Sequence, residues 1–313
     1  MPPKIRVMKY TLVMIGKEDQ ELLDRGLPHE KFLLGPKYSS APLELASFEP
    51  LLDHQRCIAR LELVHIHAAR DHLVLTSPTL LDITPTESEA LYAAVKDILA
   101  ELSSTIYRTD SLPGRWFIEA EKLKSLSTVH TAQAEGRNID IWMPIDTDIP
   151  GIARQWRKWQ NEIQMIWFDH PVNQARAANG QLSINSIWIS GIGCLADLQP
   201  HQALHAAQRL HSPDNTLAFL AKHLKKNHVR HLDSQAFQNA LSLLMQENPT
   251  STQIWHDAIE ALRAQTITSI ELIDFPQGVL RTQQLTHKDL PKKGWAFWKK
   301  PSTPSLEDIL GSS

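Results

Sequence analysis

Residues 167–193 read WFDHPVNQARAANGQLSINSIWISGIG, and the reading of the whole chain turns on them. The stretch opens inside a helix expected over 150–169, with Pro150 near its start and Asp148 as its cap. His170-Pro171 ends that helix, because the residue before a proline is pushed out of helical geometry. VNQARAANG is a second short helix, closed by Gly180. INSIWIS reads as a buried strand, with Gly191-Ile192-Gly193 as a glycine turn after it. Asn173 and Arg176 stand three apart and share one helical face. Asn185 sits at the start of the strand, and Gly191 and Gly193 allow another backbone to come close. A guanidinium beside exposed amide donors suits a phosphate or carboxylate. The plainer reading of the same residues is a tight turn between a strand and a helix.

Working outward toward the N-terminus, Thr84, Pro85 and Glu87 form a helix start signal with a capping box. The helix they open runs through ALYAAVKDILAEL. Before it, RLELVHIHA alternates and HLVLTS follows after Ala-Arg-Asp, which predicts a hairpin. After it, IYRTD and RWFIEA predict strands about the turn Leu112-Pro113-Gly114, and KLKSLSTVHTAQAEGRNIDIWMP predicts mostly loop. Residues 1–16 read as a buried strand ending at Gly16, and 17–55 as short helices and loops.

Toward the C-terminus, PHQALHAAQRL, NTLAFLAKHLKK, SQAFQNALSLLMQ and TQIWHDAIEALRAQ predict helices. ITSIELIDF, GVLRTQQLTH and GWAFWKK predict a terminal meander of strands. The division expected is an N-terminal α/β part over 1–79, a middle part over 80–193, a helical region with terminal strands over 194–300, and a disordered tail over 301–313. Mixed strands and helices give an α/β class, a mixed sheet with helices.

The chain has 313 residues, with Lys+Arg 32 against Asp+Glu 35 and a net charge of −3. No global basic field recruits nucleic acid, which argues against a DNA-binding protein. No apolar run approaches the roughly 18–20 residues of a membrane helix, and the apolar part of the N-terminal stretch is too short for a signal peptide. The expectation is a cytoplasmic protein. The only two cysteines, Cys57 and Cys194, cannot build a disulfide framework and read as buried, reduced thiols.

Several groupings could carry chemistry. Period two puts His65 and His67 on one sheet face, where a metal could bridge them, with His54, Asp71 and His72 as further ligands; the alternative is an ordinary face of satisfied histidines. His201 and His205 stand four apart but lack the glutamate of the zincin pattern. Lys222, Lys225, Lys226 and Arg230, with His223, His228 and His231, make either a cationic helix end or an anion patch. Trp295, Phe297 and Trp298 among lysines read as a closing strand or as a surface for an acidic partner.

The block His170, Pro171, Val172, Asn173, Arg176, Gly180, Asn185, Gly191 and Gly193 resembles one in archaeal-type cofactor-independent phosphoglycerate mutases. LDITPTESEALYAAVKDIL resembles the helix that opens that family's substrate domain. The run ELVHIHAARDHLVL and the ending Trp295, Phe297, Trp298, Lys299, Lys300, Pro301 resemble proteobacterial RpfE-type regulatory proteins. The resemblance implies an alkaline-phosphatase-like fold and a ligand site at His170, Asn173, Arg176, Asn185, Gly191 and Gly193. The departures bear on activity. The mutase strand ends Leu-Arg-Gly-Ala-Gly, where this one ends Ile189-Ser190-Gly191-Ile192-Gly193. The first strand ends Ile15-Gly16, where the family has Asp-Gly and uses that aspartate to bind metal. No late Asp/His pairing follows Gly193. The expectation is a non-catalytic or regulatory relative, without a cofactor, that binds a phosphorylated metabolite or a protein partner. The alternative is a manganese- or zinc-dependent mutase or phosphatase with rearranged ligands.

Overall fold

The computed structural model describes residues 8–15, 25–212, 215–232, 236–245, 249–290 and 305–311. In chain order the first elements are β1 (Lys9–Ile15), α1 (Pro28–Leu34), α2 (Ser40–Leu45), β2 (Ile58–Ala69), β3 (His72–Thr76) and α3 (Pro85–Leu102). There follow β4 (Ile106–Arg108), β5 (Arg115–Glu119), β6 (Leu126–Ser127), α4 (Thr131–Ala134), β7 (Ile145–Asp146), α5 (Ile152–Phe168), α6 (Pro171–Ala178) and β8 (Ser186–Gly193). The remainder is α7 (Gln202–Ala206), β9 (Arg209–His211), α8 (Asn215–His223), β10 (Asn227–Val229), β11 (Ala240–Met245), α9 (Pro249–Arg263), β12 (Ser269–Asp274), β13 (Arg281–Thr286) and α10 (Leu306–Gly311). The class is mixed α/β. No helix among the described residues is long and apolar enough to cross a membrane.

The chain divides into two compact units, one of residues 24–27 and 34–199, the other of 1–23, 28–33 and 200–313. The sequence division at 79/80 therefore runs through the first unit. That unit is built on β2, which pairs antiparallel with β3, β5 and β8. Alternation gives β2 two different faces. Leu61 and Leu63 lie in the main core with Leu91, Val95, Leu99, Trp156, Ile163, Trp167, Ile187 and Ile189. The capping box at the head of α3 forms as its sequence predicts: Glu87 N–H donates to Thr84 Oγ1 at 3.2 Å, and Thr84 N–H to the Glu87 carboxylate at 2.8 Å. The cap of α5 differs from expectation. Asp146, not Asp148, accepts from the N–H groups of Gly151 and Ala153 at 2.8 and 2.7 Å.

The second unit holds a six-stranded sheet in the order β10-β9-β11-β1-β12-β13. All pairs are parallel except β12 with β13. Tyr10, Leu12 and Met14 of β1 share a core with Trp255, Ala258, Ile259 and Leu262 of α9.

Four expectations need correcting here. SQAFQNALSLLMQ is not a helix: Ala240–Met245 is a strand between β9 and β1, with five of its six residues buried. A run of leucines favours helix only weakly, and burial between two parallel strands overrides that preference. PHQALHAAQRL is helical only over Gln202–Ala206 and then becomes β9. The basic stretch after α8 likewise turns into β10. The tail is ordered over α10, because Leu306 and Leu310 bury against the second unit's core. The expected ending Gly16 of the first strand and the closing strand with Trp295, Phe297 and Trp298 lie outside the described residues.

Candidate functional site

The 167–193 block folds as helix, break, helix, turn and strand; Asn173, Arg176, Ser186 and Ser190 turn inward, while Asp169, Gln174, Asn179 and Gln181 face solvent. His170 caps α6, its ring nitrogen accepting from Val172 N–H at 3.3 Å. Burial lowers the affinity of this ring for a proton. Asn173 is buried, and its amide joins two segments. The NH₂ group donates to the carbonyls of Trp167 and Ile184, both at 2.8 Å, and the amide oxygen accepts from Ile184 N–H at 2.7 Å. Asn185 extends the sheet with its side chain, accepting from Ile66 N–H and donating to the Ile66 carbonyl, each at 2.8 Å.

Arg176 is 2% exposed. Its Nε donates to the Leu182 carbonyl at 2.7 Å, Nη2 to the Leu81 carbonyl at 2.5 Å, and Nη1 to the Glu87 carboxylate at 2.9 Å. One guanidinium thus ties α6, the turn after it and the head of α3 together. Glu87 serves both its capping box and this ion pair. Burial alone would raise the Glu87 carboxyl, but the Thr84 N–H and the Arg176 guanidinium outweigh it and hold it below its ordinary value.

The two glycines do admit a closely packed neighbour, and it is the chain's own α2. A Cβ on Gly191, at φ +65°, would meet Ser40 Oγ and lie 2.8 Å from Ala41 N. One on Gly193 would meet Ser39 Oγ and lie 2.6 Å from Ser39 Cβ. The start of α2 therefore fills the space beside both glycines.

Beside these glycines lies a group that the sequence reading did not single out. Arg60 and Glu62 point from the face of β2 opposite Leu61 and Leu63. Glu44 of α2 bridges Arg60 and Arg115 at 2.7 and 2.8 Å. Glu62 closes the ring with Arg115 at 3.2 Å and Arg60 at 3.6 Å. Thr131 Oγ1 donates to Glu62 at 2.9 Å, and Arg60 Nε donates to Ser190 Oγ at 3.2 Å. Two carboxylates and two guanidiniums cancel in charge, and every carboxylate oxygen has a partner. Burial opposes ionisation of Glu62, yet Arg60, His130 and Arg115 bring its carboxyl down to about 2. His130, beside the ring, is pushed down to about 4 by desolvation, with Arg60 adding to the effect. The sequence signal was present: two charged residues at period two inside a strand that otherwise reads as buried.

His65 and His67 stack with ring centroids 5.3 Å apart, and His65 Nδ1 bonds to Ser183 at 2.9 Å. His72 instead pairs with Asp71 at 2.8 Å. Among the described residues, no group of three or more His, Cys, Asp or Glu side chains is arranged to hold a metal. His201 caps α7 and stacks on Phe32, so it does not share a helical face with His205. In the basic stretch, Lys222 and His223 end α8, Lys226 donates to the His205 carbonyl at 2.6 Å, and Arg230 donates to Asn215 at 2.9 Å.

The outward stripe of α5 has a different character. Trp156, Ile163 and Trp167 are buried on its inner face. Arg154, Lys158, Asn161, Met165 and Phe168 follow one another at helical spacing on the outside, flanked by Arg157. Met165 and Phe168 are each 78% exposed. Arg154 lies in the first turn, where the helix dipole disfavours a cation, and Lys158 pairs with Glu162 at 3.6 Å.

No protein-family model matches the chain, and no curated protein is significantly similar to it in sequence. Among solved structures it is similar to the cofactor-independent phosphoglycerate mutase from Thermoplasma acidophilum DSM 1728, at 14% identity over 90% of each chain with a TM-score of 0.37. It is also similar to the PH0037 protein from Pyrococcus horikoshii, at 11% identity over 86% of this chain and 82% of that one, with a TM-score of 0.34. Both likenesses are too distant to carry an activity across.

Proposed function

We propose that the chain is a non-catalytic, regulatory protein of the RpfE type that works by binding a protein partner, with the 170–193 block serving as an internal clasp. The observation that carries this reading is Arg176. Each of its three guanidinium nitrogens already donates, to Leu182, Glu87 and Leu81, and the group is 2% exposed. A phosphate could reach this buried guanidinium only by opening the packing around it, and disturbing its ion pair with Glu87 carries a cost that approaches the roughly 3–5 kcal/mol of a fully buried pair.

The partner surface in this reading is the outer stripe of α5. Exposed Met165 and Phe168 next to Arg154, Arg157 and Lys158 fit an acidic segment that carries large apolar side chains. The test has two arms. A coupled phosphoglycerate mutase assay with added manganese or zinc is expected to show no turnover by the folded protein. Turnover above the metal-only blank overturns the non-catalytic reading. A labelled acidic helical peptide of Glu and Leu is expected to bind the wild type. Binding should weaken roughly tenfold or more in Phe168→Ala, the loss of about 1.4 kcal/mol that marks an interface anchor. Equal binding by the wild type and by a Met165→Glu/Phe168→Glu variant rejects this surface.

A further inference from the structure

We infer that Cys57 and Cys194 form a dithiol poised to close into a reversible disulfide between the start of β2 and the end of β8. Both cysteines are free in this structure. Ile58 pairs with Gly193 at the end of the antiparallel ladder, and carrying that register one residue outward sets Cys57 opposite Cys194. The Ala196 N–H to His54 carbonyl bond, at 3.0 Å, holds the two segments together beyond that point.

The hydrogen-bond pattern fixes the kind of pairing. The Cys57 carbonyl accepts from Ala120 N–H at 2.7 Å, toward β5 and away from β8. In the extended register Cys57 and Cys194 therefore fall at a non-hydrogen-bonded position, where opposed Cα atoms stand about 4.5 Å apart and side chains are closest. That separation lies within the roughly 4.4–6.8 Å range of disulfides. The two side chains also share a sheet face. Cys57 belongs to the main core with Ala59, Leu61 and Leu63, and Cys194 packs against the same cluster.

The two thiols differ in access, which sets an order of reaction. Cys57 is buried, and Cys194 is half-buried. Desolvation raises both thiols, Cys57 to about 12, and the Asp197 carboxylate raises Cys194 further against a smaller opposing effect of Lys37, so it is access that makes Cys194 the first to react. The oxidant is a low-molecular-weight disulfide. The Cys194 thiolate, having given its proton to water, attacks one sulfur of that disulfide and releases one small thiolate. Cys57 then gives up its proton and attacks Cys194 Sγ in the mixed disulfide, releasing the second small thiolate. Two protein thiols and one small disulfide become one protein disulfide and two small thiols, once the released thiolates take up the two protons.

The test uses the full native chain with oxidised glutathione, followed by acid quench, alkylation and mass spectrometry. The expected product is a monomer lighter by two hydrogens that takes no alkylating agent, yields a Cys57–Cys194 linked peptide, and reverts with dithiothreitol. Cys57→Ser is expected to retain a glutathione adduct on Cys194, and Cys194→Ser to show neither adduct nor link. Three wild-type results would overturn the inference without reference to the variants: two alkylatable thiols after exposure to oxidant, a mixed disulfide that never resolves, or a link that forms only in denaturant or between chains.

Discussion

At the residue scale the block at 170–193 is built as a clasp. Arg176→Ala should leave the Glu87 carboxylate without its cation and two carbonyls without a donor, lowering stability by about 3 kcal/mol in urea unfolding. Gly193→Ala drives a methyl group into Ser39, and overpacking of this kind costs about 1–3 kcal/mol. A ligand groove at Gly193 would accept the alanine with little change, so the same unfolding curve separates the two roles. Residue identities and spacings were legible in the sequence: Asn173, Arg176 and the glycines are where a close-packed polar block needs them. Their acceptors were not. Leu81 and Glu87 lie about ninety residues away, and an arginine waiting for phosphate has the same local sequence as one bonded to distant carbonyls.

The buried ring gives a pH prediction at the same scale. The folded protein holds His130 near 4 against an ordinary 6.5, so between those values the unfolded chain binds a proton that the folded chain does not. Stability therefore falls as pH drops from 6.5 to 4. Glu62, held at about 2 against 4.5, contributes stability above 4.5 that is lost as pH falls through 2. Urea midpoints measured from pH 7 to pH 3 should decline throughout. His130→Gln should flatten the part above pH 4 by up to about 1.4 kcal/mol per pH unit. An unchanged slope in that variant would mean that the ring nitrogens titrate normally in the folded state.

At the element scale, helices with strong local signals were readable and strands with helix-favouring residues were not. The Thr84 capping box and the apolar spacing of α3 gave its start and its buried face. Thr84→Ala should cost about 1 kcal/mol, measured by thermal unfolding. The strand Ala240–Met245 was hidden because ALSLLM has no alternation: β11 is covered on both faces, and leucine suits either structure. The outer stripe of α5 was visible as sequence but lost among the tryptophans of its inner face. Met165→Glu and Phe168→Glu touch exposed positions and should each change stability by less than about 0.5 kcal/mol.

At the scale of the whole molecule, the order of residues along the chain hides which of them fold together. β1 is one of the first elements and sits in a sheet whose other five strands come from beyond residue 200. Linear division of the sequence cannot show this, because the pairing is set by parallel register across more than two hundred residues. The same unit recovers the last described segment: Leu306 and Leu310 bury against it, and Arg281 donates to the Leu310 carbonyl at 2.7 Å. Leu310→Ala should destabilise this unit by about 2 kcal/mol, read from the exchange of β1 and β12 amide hydrogens. An unaltered exchange pattern would detach α10 from the fold.

The most direct test of the clasp is urea unfolding of the wild type and of Arg176→Ala, each with and without millimolar phosphoglycerate. The account predicts a lower midpoint in the variant and no shift by phosphoglycerate in either protein. A wild type that phosphoglycerate stabilises, beside a variant of nearly equal intrinsic stability that it does not, would contradict the account and return Arg176 to a ligand site.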